Sequence, residues 1–393
     1  MRLWNVKRPL LVTCGRAIVP YLKKEIVDLG LPVLAESAAA VETEGTLADA
    51  IRLNLCVRTG QHVLFLLEEF RARNLEDLYA GASRIAWEEY VPATGYVTVT
   101  SSVRTPAVRD ARIANLTCKD ALVDRIRKRT GMRPDSGPAR SHTVLSLFWK
   151  GDSCRIYFDT SGAPLSRRGY RRIPLEAPMQ ETLAAAVVMA TGWQGQGPFV
   201  NPMCGTGTIA IEACLLALGR APGLLRNTFG FMHILGFEPG LYRDIRTSLR
   251  RVSRTSFPGT IVATDKSPRA IETAKRHAAT AGVTGHIEFT VCDFAETPIP
   301  DPRGAGGVVV LNPEYGKRLG EAARLSTVYS AIGDFFKNRC QGYRGYILTG
   351  NLDLAKKVGL RTCRRIPFFN GPLECRLLEY DLYPGSRKGA KQR

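Results

Sequence analysis

The chain has 393 residues, and its content of 45% hydrophobic and 23% charged residues is typical of a globular protein with a real core. The formal net charge of +19 is spread over both halves and favours a polyanionic partner, with nucleic acid before an acidic membrane surface. The opening MRLWNVKRPL lacks the apolar core of a signal peptide, and no apolar stretch is long enough to span a bilayer.

The ten cysteines form no CxxC pair and do not cluster with the five histidines. This pattern favours reduced thiols in a cytoplasmic protein over disulfides or a zinc site. We therefore expect no bound metal and a cytoplasmic location.

The first 160 residues alternate short strand and helix candidates, which predicts an α+β region. It opens with the strand LLVTC and the helix AIVPYLKKEIVDLG, and it closes with the strands VLSLFWK and CRIYFD. Its helix CKDALVDRIRKRTG ends in a basic cluster made of Arg125, Arg127, Lys128 and Arg129. Such a cluster is either an RNA-binding surface or an ordinary solvated helix face.

Residues 161–176 are rich in Pro, Gly and Arg and are predicted to form a linker. Four apolar strand candidates come after it, namely GPFVNPM, TIVATD, HIEFTVCD and GVVVLNP. A helical pattern follows each one, so we expect a parallel sheet with both faces covered. The final residues, 386–393, form a basic tail.

A small-residue turn, NPMCGTGT, joins the first of these strands to an apolar helix. Gly205 and Gly207 allow a ligand to approach the backbone, and the helix N-terminus presents unpaired N–H groups. The full G-x-G-x-x-G fingerprint is missing because residue 210 is Ala, which disfavours a dehydrogenase. A plain strand–helix turn remains the alternative for this motif.

Carboxylates follow the next two strands. Asp265 can accept both hydroxyls of a ribose, and Asp293 can accept the exocyclic amine of an adenine. Asp265 lies much further from Gly207 than the ~20 residues of a compact unit, so we expect an insertion around residues 220–257. Ser267 and Pro268 suit the start of the following helix. Taken singly, Asp265 is equally compatible with a turn cap.

The last strand ends in NPEY. The side-chain oxygen of Asn312 and the carbonyl of Pro313 are both acceptors, and together they can hold an NH2 group with its lone pair turned outward. Tyr315 can stack on a flat base. A lone Asn-Pro is by default a turn, but the three preceding motifs predict a nucleoside cofactor beside it.

In this order the motifs resemble class I S-adenosylmethionine-dependent methyltransferases of the Asn-Pro-Pro-Tyr type. DTSGAPLSRRGYR, APMQETLAAAVVMATGW, NPMCGTGTIAIEA, NPEYGKRLG and NGPLECRLLEYDL together are similar to the bacterial family that methylates N2 of a guanine in 23S ribosomal RNA. The resemblance implies a ferredoxin-like segment at 1–45, a THUMP RNA-binding domain at 46–160 and a doubly wound, mostly parallel methyltransferase domain at 177–385.

Carried onto this chain, the resemblance implies S-adenosylmethionine as cofactor and RNA as partner. The catalytic residues would be Asn312, Pro313 and Tyr315. The cofactor-binding residues would be Asn201, Met203, Cys204, Gly205, Gly207, Thr208, Asp265, Lys266, Asp293 and Phe294. The RNA-binding residues would be Arg125, Arg127, Lys128, Arg129, Arg167, Arg168 and Arg171.

Two positions depart from the family pattern. Asn201 replaces the usual Asp, and Glu314 replaces the second Pro, where a carboxylate either accepts a guanine N–H or repels RNA phosphates. Direct in-line methyl transfer is expected, with Cys204 as a nucleophile the alternative. A tRNA guanine, an adenine N6 amine, and a non-catalytic role in RNA binding or ribosome assembly remain open.

Overall fold

The computed structural model describes residues 3–140, 142–171, 173, 179–302, 304–315 and 322–383. The predicted tail, 386–393, and residues 172 and 174–176 of the predicted linker lie outside them. The chain divides into two compact units. The amino-terminal unit comprises Met1–Cys14, Leu22–Arg167 and Pro222–Arg251, and the carboxy-terminal unit comprises Gly15–Tyr21, Arg168–Ala221 and Val252–Arg393.

The amino-terminal unit is built around an eight-stranded sheet. Its strands are β1 (Arg8–Cys14), β2 (Ala35–Ser37), β3 (Ala40–Gly45), β4 (Gly60–Arg71), β5 (Tyr96–Arg104), β6 (Asp135–Ser136), β7 (Thr143–Lys150) and β8 (Ser153–Asp159). Their order is β2-β3-β1-β4-β8-β7-β5-β6. Neighbours are antiparallel, except that β5 runs parallel to β6 and β7.

Three of the first four helices begin at a side-chain N-cap. The first four are α1 (Val19–Asp28), α2 (Leu47–Cys56), α3 (Leu75–Arg84) and α4 (Ala111–Thr130). Thr46 and Asp49 form a reciprocal capping box at the start of α2. Gly131, at a φ of +76°, ends α4 in the left-handed conformation that glycine favours.

The carboxy-terminal unit contains a seven-stranded sheet. Its strands are β9 (Phe199–Asn201), β10 (Ile261–Asp265), β11 (Ile287–Val291), β12 (Gly307–Leu311), β13 (Tyr343–Thr349), β14 (Arg364–Asn370) and β15 (Leu373–Leu382). Their order is β11-β10-β9-β12-β13-β15-β14. The first five run parallel, and β15 is antiparallel to both of its neighbours.

The remaining helices are α5 (Glu181–Thr191), α6 (Thr208–Ala217), α7 (Pro239–Val252), α8 (Pro268–Ala281), α9 (Ala322–Arg339) and α10 (Leu352–Lys356). Side chains of β12, β13 and α9 form a core cluster that includes Val309, Leu311, Ile332, Phe336 and Ile347. The start of α8 matches the prediction, since the Ser267 side chain accepts from Ala270 N and Pro268 opens the helix.

The chain leaves the methyltransferase-like sheet between α6 and β10. Residues 222–251 belong to the amino-terminal unit, which accounts for the long separation between the first two sequence motifs. A Cβ at Gly223 would lie 2.5 Å from Leu55 Cα, so the returning segment packs closely on α2. Residues 15–21 are likewise grouped with the carboxy-terminal unit. The predicted domain bounds, 1–45, 46–160 and 177–385, stay predictions.

Candidate active site

The sheet of the carboxy-terminal unit reverses its order at β9, which pairs with β10 on one side and β12 on the other. The chain builds outward from β9 to β11 and then returns to β12. In open parallel sheets, ligands bind outside the carboxyl ends of the strands at such a reversal. The turns that follow β9, β10, β11 and β12 therefore share the edge where a ligand is expected.

The turn after β9 adopts a left-handed backbone at three residues. The φ angle is +54° at Met203, +56° at Gly205 and +76° at Gly207. A Cβ placed on Gly205 would meet no described atom within 4 Å, whereas one on Gly207 would lie 3.0 Å from the Cβ of Ala274 in α8. Gly205 thus leaves open space in front of the backbone, and Gly207 permits close helix packing. Thr208 follows as the buried first residue of α6.

Asp265, at the end of β10, organises the glycine turn. Its Oδ2 accepts from Gly205 N at 3.0 Å, and its Oδ1 accepts from Ser267 N at 2.9 Å. Each carboxylate oxygen has a further lone pair, because an ionised carboxylate offers about four acceptor sites. The residue therefore both braces the turn and retains acceptors for a ligand hydroxyl.

The contacts of Asn201 explain why an amide stands where the family usually has a carboxylate. It is buried, and its Nδ2 donates to the backbone carbonyl of Val310 in β12 at 2.8 Å. An ionised Asp has no proton to donate there. Its Oδ1 is buried with no hydrogen-bond partner among the described residues. A buried acceptor of this kind is costly unless something donates to it.

The other predicted cofactor residues lie at the same edge with different exposures. Lys266 and Asp293 are exposed, and Asp293 Oδ1 accepts from Ala295 N at 3.0 Å. Phe294 is placed in the core instead, where its ring meets that of Phe335 edge-on at 6.0 Å. Phe294 therefore anchors the turn after β11 to the hydrophobic core.

Cys204 does not have the environment of a nucleophile. Burial, together with the nearby Asp265 carboxylate, raises the pKa of its thiol. A raised pKa keeps the thiol protonated at neutral pH, while nucleophilic cysteines have lowered pKa values. The buried environment of Cys204 therefore favours direct methyl transfer over a covalent intermediate on the thiol.

We expect Cys204→Ser to retain methyl transfer within about threefold, because no step requires a thiolate. The measurement is kcat and KM at neutral and at alkaline pH, with Cys292→Ser as the matched control at the neighbouring strand end. A loss of several orders of magnitude confined to Cys204→Ser would reinstate the covalent route.

The segment after β12 brings an amide acceptor to the same edge. Asn312 is half-buried, Pro313 is buried, and the Tyr315 hydroxyl donates to Asn312 Oδ1 at 2.8 Å. A carbonyl oxygen accepts two hydrogen bonds, so this contact leaves one lone pair of Oδ1 for a ligand amine. Burial raises the pKa of the Tyr315 phenol, which keeps that donor protonated.

Tyr315 thus has a contact that the sequence did not indicate. Its hydroxyl orients the Asn312 amide, and its carbonyl accepts from Asn351 Nδ2 at 3.4 Å. Asn351 in turn caps α10 through its side-chain oxygen. The predicted stacking of the Tyr315 ring on a base stays a prediction, since residues 316–321 lie outside those described.

Glu314, the unusual residue of this motif, points to solvent. Its carboxylate is 70% exposed and pairs with the Arg324 guanidinium of α9 at 2.6 Å. An exposed pair of this kind contributes only about 0–1 kcal/mol. The pairing balances the carboxylate charge, so neither the contact to guanine nor the repulsion of phosphate is required to explain Glu314.

The basic cluster at the end of α4 separates into two kinds of residue. Arg125 donates to both Glu88 oxygens at 3.0 Å and to the carbonyls of Ser83 and Arg84, and Arg129 lies 3.7 Å from Glu88. Both hold α4 against the preceding segment. The other two, Arg127 and Lys128, are exposed. Within this cluster, Arg127 and Lys128 are the better candidates for phosphate contacts.

The three arginines predicted to bind RNA in the linker region differ in exposure. The RNA contact predicted for Arg168 is wrong, because its side chain is buried. Arg168 is 1% exposed and pairs with Glu212 in α6, which also accepts from the Tyr170 hydroxyl. A buried guanidinium cannot reach a polyanion. Arg171 is half-buried and donates to Glu181, whereas Arg167 is exposed.

His277 in α8 is a site residue that the sequence did not reveal. It is buried, its Nδ1 lies 3.4 Å from the carbonyl of Thr206 in the glycine turn, and Ile173 N donates to its Nε2 at 3.5 Å. Burial lowers its pKa, which favours the neutral ring. Its position in the helical pattern of α8 looks like an ordinary core position, so no local signal marks it.

Among the described residues, no group of three metal-ligating side chains is found. None of the described helices combines the length and the apolar character needed to cross a bilayer.

Comparison with known families divides the chain in the same order as the predicted domains. A model of the RlmL ferredoxin-like domain matches residues 9–64, a THUMP domain model matches 72–159, and an RMKL-like methyltransferase domain model matches 168–379. The predicted fold class, an α+β region of these two types followed by a mostly parallel methyltransferase sheet, is confirmed.

Individual relatives extend the match over nearly the whole chain. The "Ribosomal RNA large subunit methyltransferase K/L" of Syntrophotalea carbinolica is 34% identical over 94% of this chain and 53% of its own length. The "Putative RNA methyltransferase slr0064" of Synechocystis sp. is 32% identical, covering 96% of this chain and 97% of that protein. The solved structure of SMU.472, complexed with SAH, is 25% identical with a TM-score of 0.86, and the match covers 98% of this chain and 100% of that one.

This chain spans about half the length of the curated K/L relatives that it matches. The methyltransferase model covers more than half of the chain, and the Synechocystis relative aligns almost end to end. The chain therefore belongs to the RMKL-like methyltransferase family.

Proposed function

We propose that this chain transfers a methyl group from S-adenosylmethionine to the exocyclic N2 amine of a guanine in 23S ribosomal RNA. The observation that carries the proposal is the position of Asn312, an acceptor for an amine, at the same sheet edge as the open space before Gly205. The names of the K/L relatives support ribosomal RNA as the substrate.

The residues of the edge fit the proposed cofactor. The unpartnered Oδ1 of Asn201 would accept from its ammonium group, and the Gly205 backbone would allow it to approach closely. The free lone pairs of Asp265 would accept from its ribose hydroxyls. Asp293, exposed at the next strand end, would accept from its adenine amine.

When bound, the cofactor supplies an electrophilic methyl group on a positively charged sulfur. The guanine amine is a weak nucleophile because its lone pair is delocalised into the ring. Asn312 Oδ1 and the Pro313 carbonyl would accept its two N–H groups and turn the lone pair outward. Holding that geometry can supply ~7–11 kcal/mol of barrier lowering in favourable cases, so a strong base is not needed.

The amino-terminal unit would hold the RNA while the target base leaves its stack. A base inside a duplex cannot reach a pocket at a sheet edge, so a flipped or single-stranded guanine is expected. Exposed cations such as Arg127, Lys128 and Arg167 would contact phosphates and contribute affinity without sequence choice. We also propose a cytoplasmic location, in keeping with the free cysteines of the described chain.

Two further substrates demand the same acceptors, namely a tRNA guanine N2 and an adenine N6. The acceptors of Asn312 and Pro313 do not separate them. A non-catalytic role in RNA binding or ribosome assembly was suggested by Glu314, and its pairing with Arg324 weakens that suggestion.

Mass spectrometry of nucleosides decides between these functions. Ribosomal RNA and tRNA from a strain lacking the gene are compared with the same RNAs after complementation by the wild-type chain and by Asn312→Ala. We expect N2-methylguanosine in 23S RNA to return only with the wild type. Restoration in tRNA alone, or N6-methyladenosine instead, would overturn the proposed substrate, and an unchanged profile would favour the non-catalytic role.

A further inference from the structure

The inserted segment carries a helix, α7, whose two sides differ in character. On one side, the ring of Tyr242 lies 5.6 Å from Phe231 and 6.4 Å from Phe229, centroid to centroid. These phenylalanines are buried within the amino-terminal unit. The Tyr242 ring of α7 therefore packs against its own unit, although no residue of the helix is fully buried.

The four arginines of α7 do not share one role. Arg246 donates to the carbonyls of Arg226 and Leu224, both at 3.1 Å, and fixes the helix to the segment before it. Arg243, Arg250 and Arg251 are exposed, and no ion pair or hydrogen bond of their side chains to another described residue is found. Three of the four guanidinium groups thus face solvent.

Helical spacing places two of these charges in line. Residues seven apart lie on one face of a helix, so Arg243 and Arg250 project in a similar direction, while Arg251 projects from the adjoining side, in line with Asp244. A polyanion attracts such a group of exposed cations, and the bidentate guanidinium fork suits phosphate oxygens.

We propose that the exposed face of α7, formed by Arg243, Arg250 and Arg251, binds the phosphate backbone of the RNA substrate. This inference rests on the proposed RNA-modifying function and adds a surface outside the THUMP-matched residues. Residues 222–251, which carry this face, belong to the amino-terminal unit. RNA is favoured over an anionic membrane, because the Tyr242 ring already packs on Phe231 and because the K/L relatives are named as ribosomal RNA methyltransferases.

The test compares two variants with equal loss of charge. The first is Arg243→Gln with Arg250→Gln and Arg251→Gln. The matched control is Arg276→Gln with Lys337→Gln and Lys356→Gln, three exposed cations of the carboxy-terminal unit that pair locally with Glu272, Asp334 and Asp353. Binding of a transcribed 23S RNA domain to the full chain is measured by fluorescence anisotropy over a series of KCl concentrations.

We expect the α7 variant to weaken RNA binding by roughly ten- to a hundredfold and to lower the salt slope by about 2–3, since each lost phosphate contact removes roughly 0.7–0.9. The control should shift far less. Replacing the same three arginines with lysine should preserve most of the slope, and Arg250→Gln alone should lower it by about 1. Circular dichroism and an unchanged urea unfolding midpoint confirm that each variant is folded.

Equal weakening by both triple variants would overturn the proposal, since the effect would then be one of net charge. The proposal would also be overturned if the α7 variant kept the salt slope of the wild type, or if the wild type did not bind RNA. It would likewise be overturned if the α7 variant lost binding to phosphatidylglycerol vesicles but kept its binding to RNA. Turnover separates this inference from the proposed function. If RNA binding depends on α7 but the wild type transfers no methyl group, only the proposed function is contradicted. If the wild type transfers a methyl group but the α7 variant keeps the wild-type salt slope, only the α7 surface is contradicted.

Discussion

Replacing Asn312 with alanine is expected to lower kcat for methyl transfer by about a hundred- to a thousandfold, the range seen when one preorganised hydrogen-bonding group is removed from an active site. The variant loses the oxygen that would accept from the guanine amine. It also loses the acceptor of the Tyr315 hydroxyl, so the segment after β12 loses an internal contact. Both effects act on the RNA side of the site.

Cofactor binding should survive in Asn312→Ala with an affinity within about threefold of the wild type, because the Asn312 side chain is not among the proposed cofactor contacts. The proposed cofactor contacts come from Asn201, the Gly205 turn and Asp265, which are braced by their own hydrogen bonds. Isothermal titration with the cofactor and single-turnover assays with RNA measure the two quantities separately.

Asn74→Ala is the matched control, because Asn74 is an asparagine whose side chain caps α3 in the amino-terminal unit. It should cost about 1 kcal/mol of stability through the lost cap and leave turnover unchanged. If Asn312→Ala turned over like this control, the amide would not be the amine acceptor. If it lost cofactor binding as well, the two halves of the site would not be independent.

The parts of the structure that the sequence predicted are those with local signals. Four of the five parallel strands, β9 to β12, were predicted because they appear as short apolar runs. Ser267 and Pro268 start α8 because both act within one turn of their own position. The glycine turn could be predicted for the same reason, since positive φ angles at Gly205 and Gly207 depend on the residue type.

The parts that escaped prediction depend on partners far away in the chain. Asn201 donates to Val310, and Arg168 pairs with Glu212; in both cases the partner lies on another element of the sheet or its helices. Nothing near Arg168 in the chain distinguishes it from the exposed Arg167, because both stand in a run of polar residues. Arg125 differs from Arg127 in the same way, since Glu88 comes from a different segment.

Arg168→Ala is expected to lower the free energy of unfolding of the carboxy-terminal unit by about 3–5 kcal/mol, the cost of removing one partner from a buried ion pair. Glu212 is 1% exposed and would keep only the Tyr170 hydroxyl among the contacts described here. An uncompensated carboxylate in a low-dielectric interior is strongly unfavourable. RNA affinity should change little, because the guanidinium does not reach solvent.

Arg167→Ala, one residue earlier, is the matched control and should show the opposite pattern. Its side chain is exposed, so stability should change by at most about 0.5 kcal/mol, while RNA affinity should fall and the salt slope should decrease by about 1. Urea unfolding and anisotropy on both variants complete the comparison. A stability loss for Arg168→Ala no greater than that of its neighbour would mean that the Arg168–Glu212 pair does not hold the start of this unit together. If Arg168→Ala instead lowered RNA affinity at unchanged stability, the original assignment of Arg168 to the RNA surface would be restored.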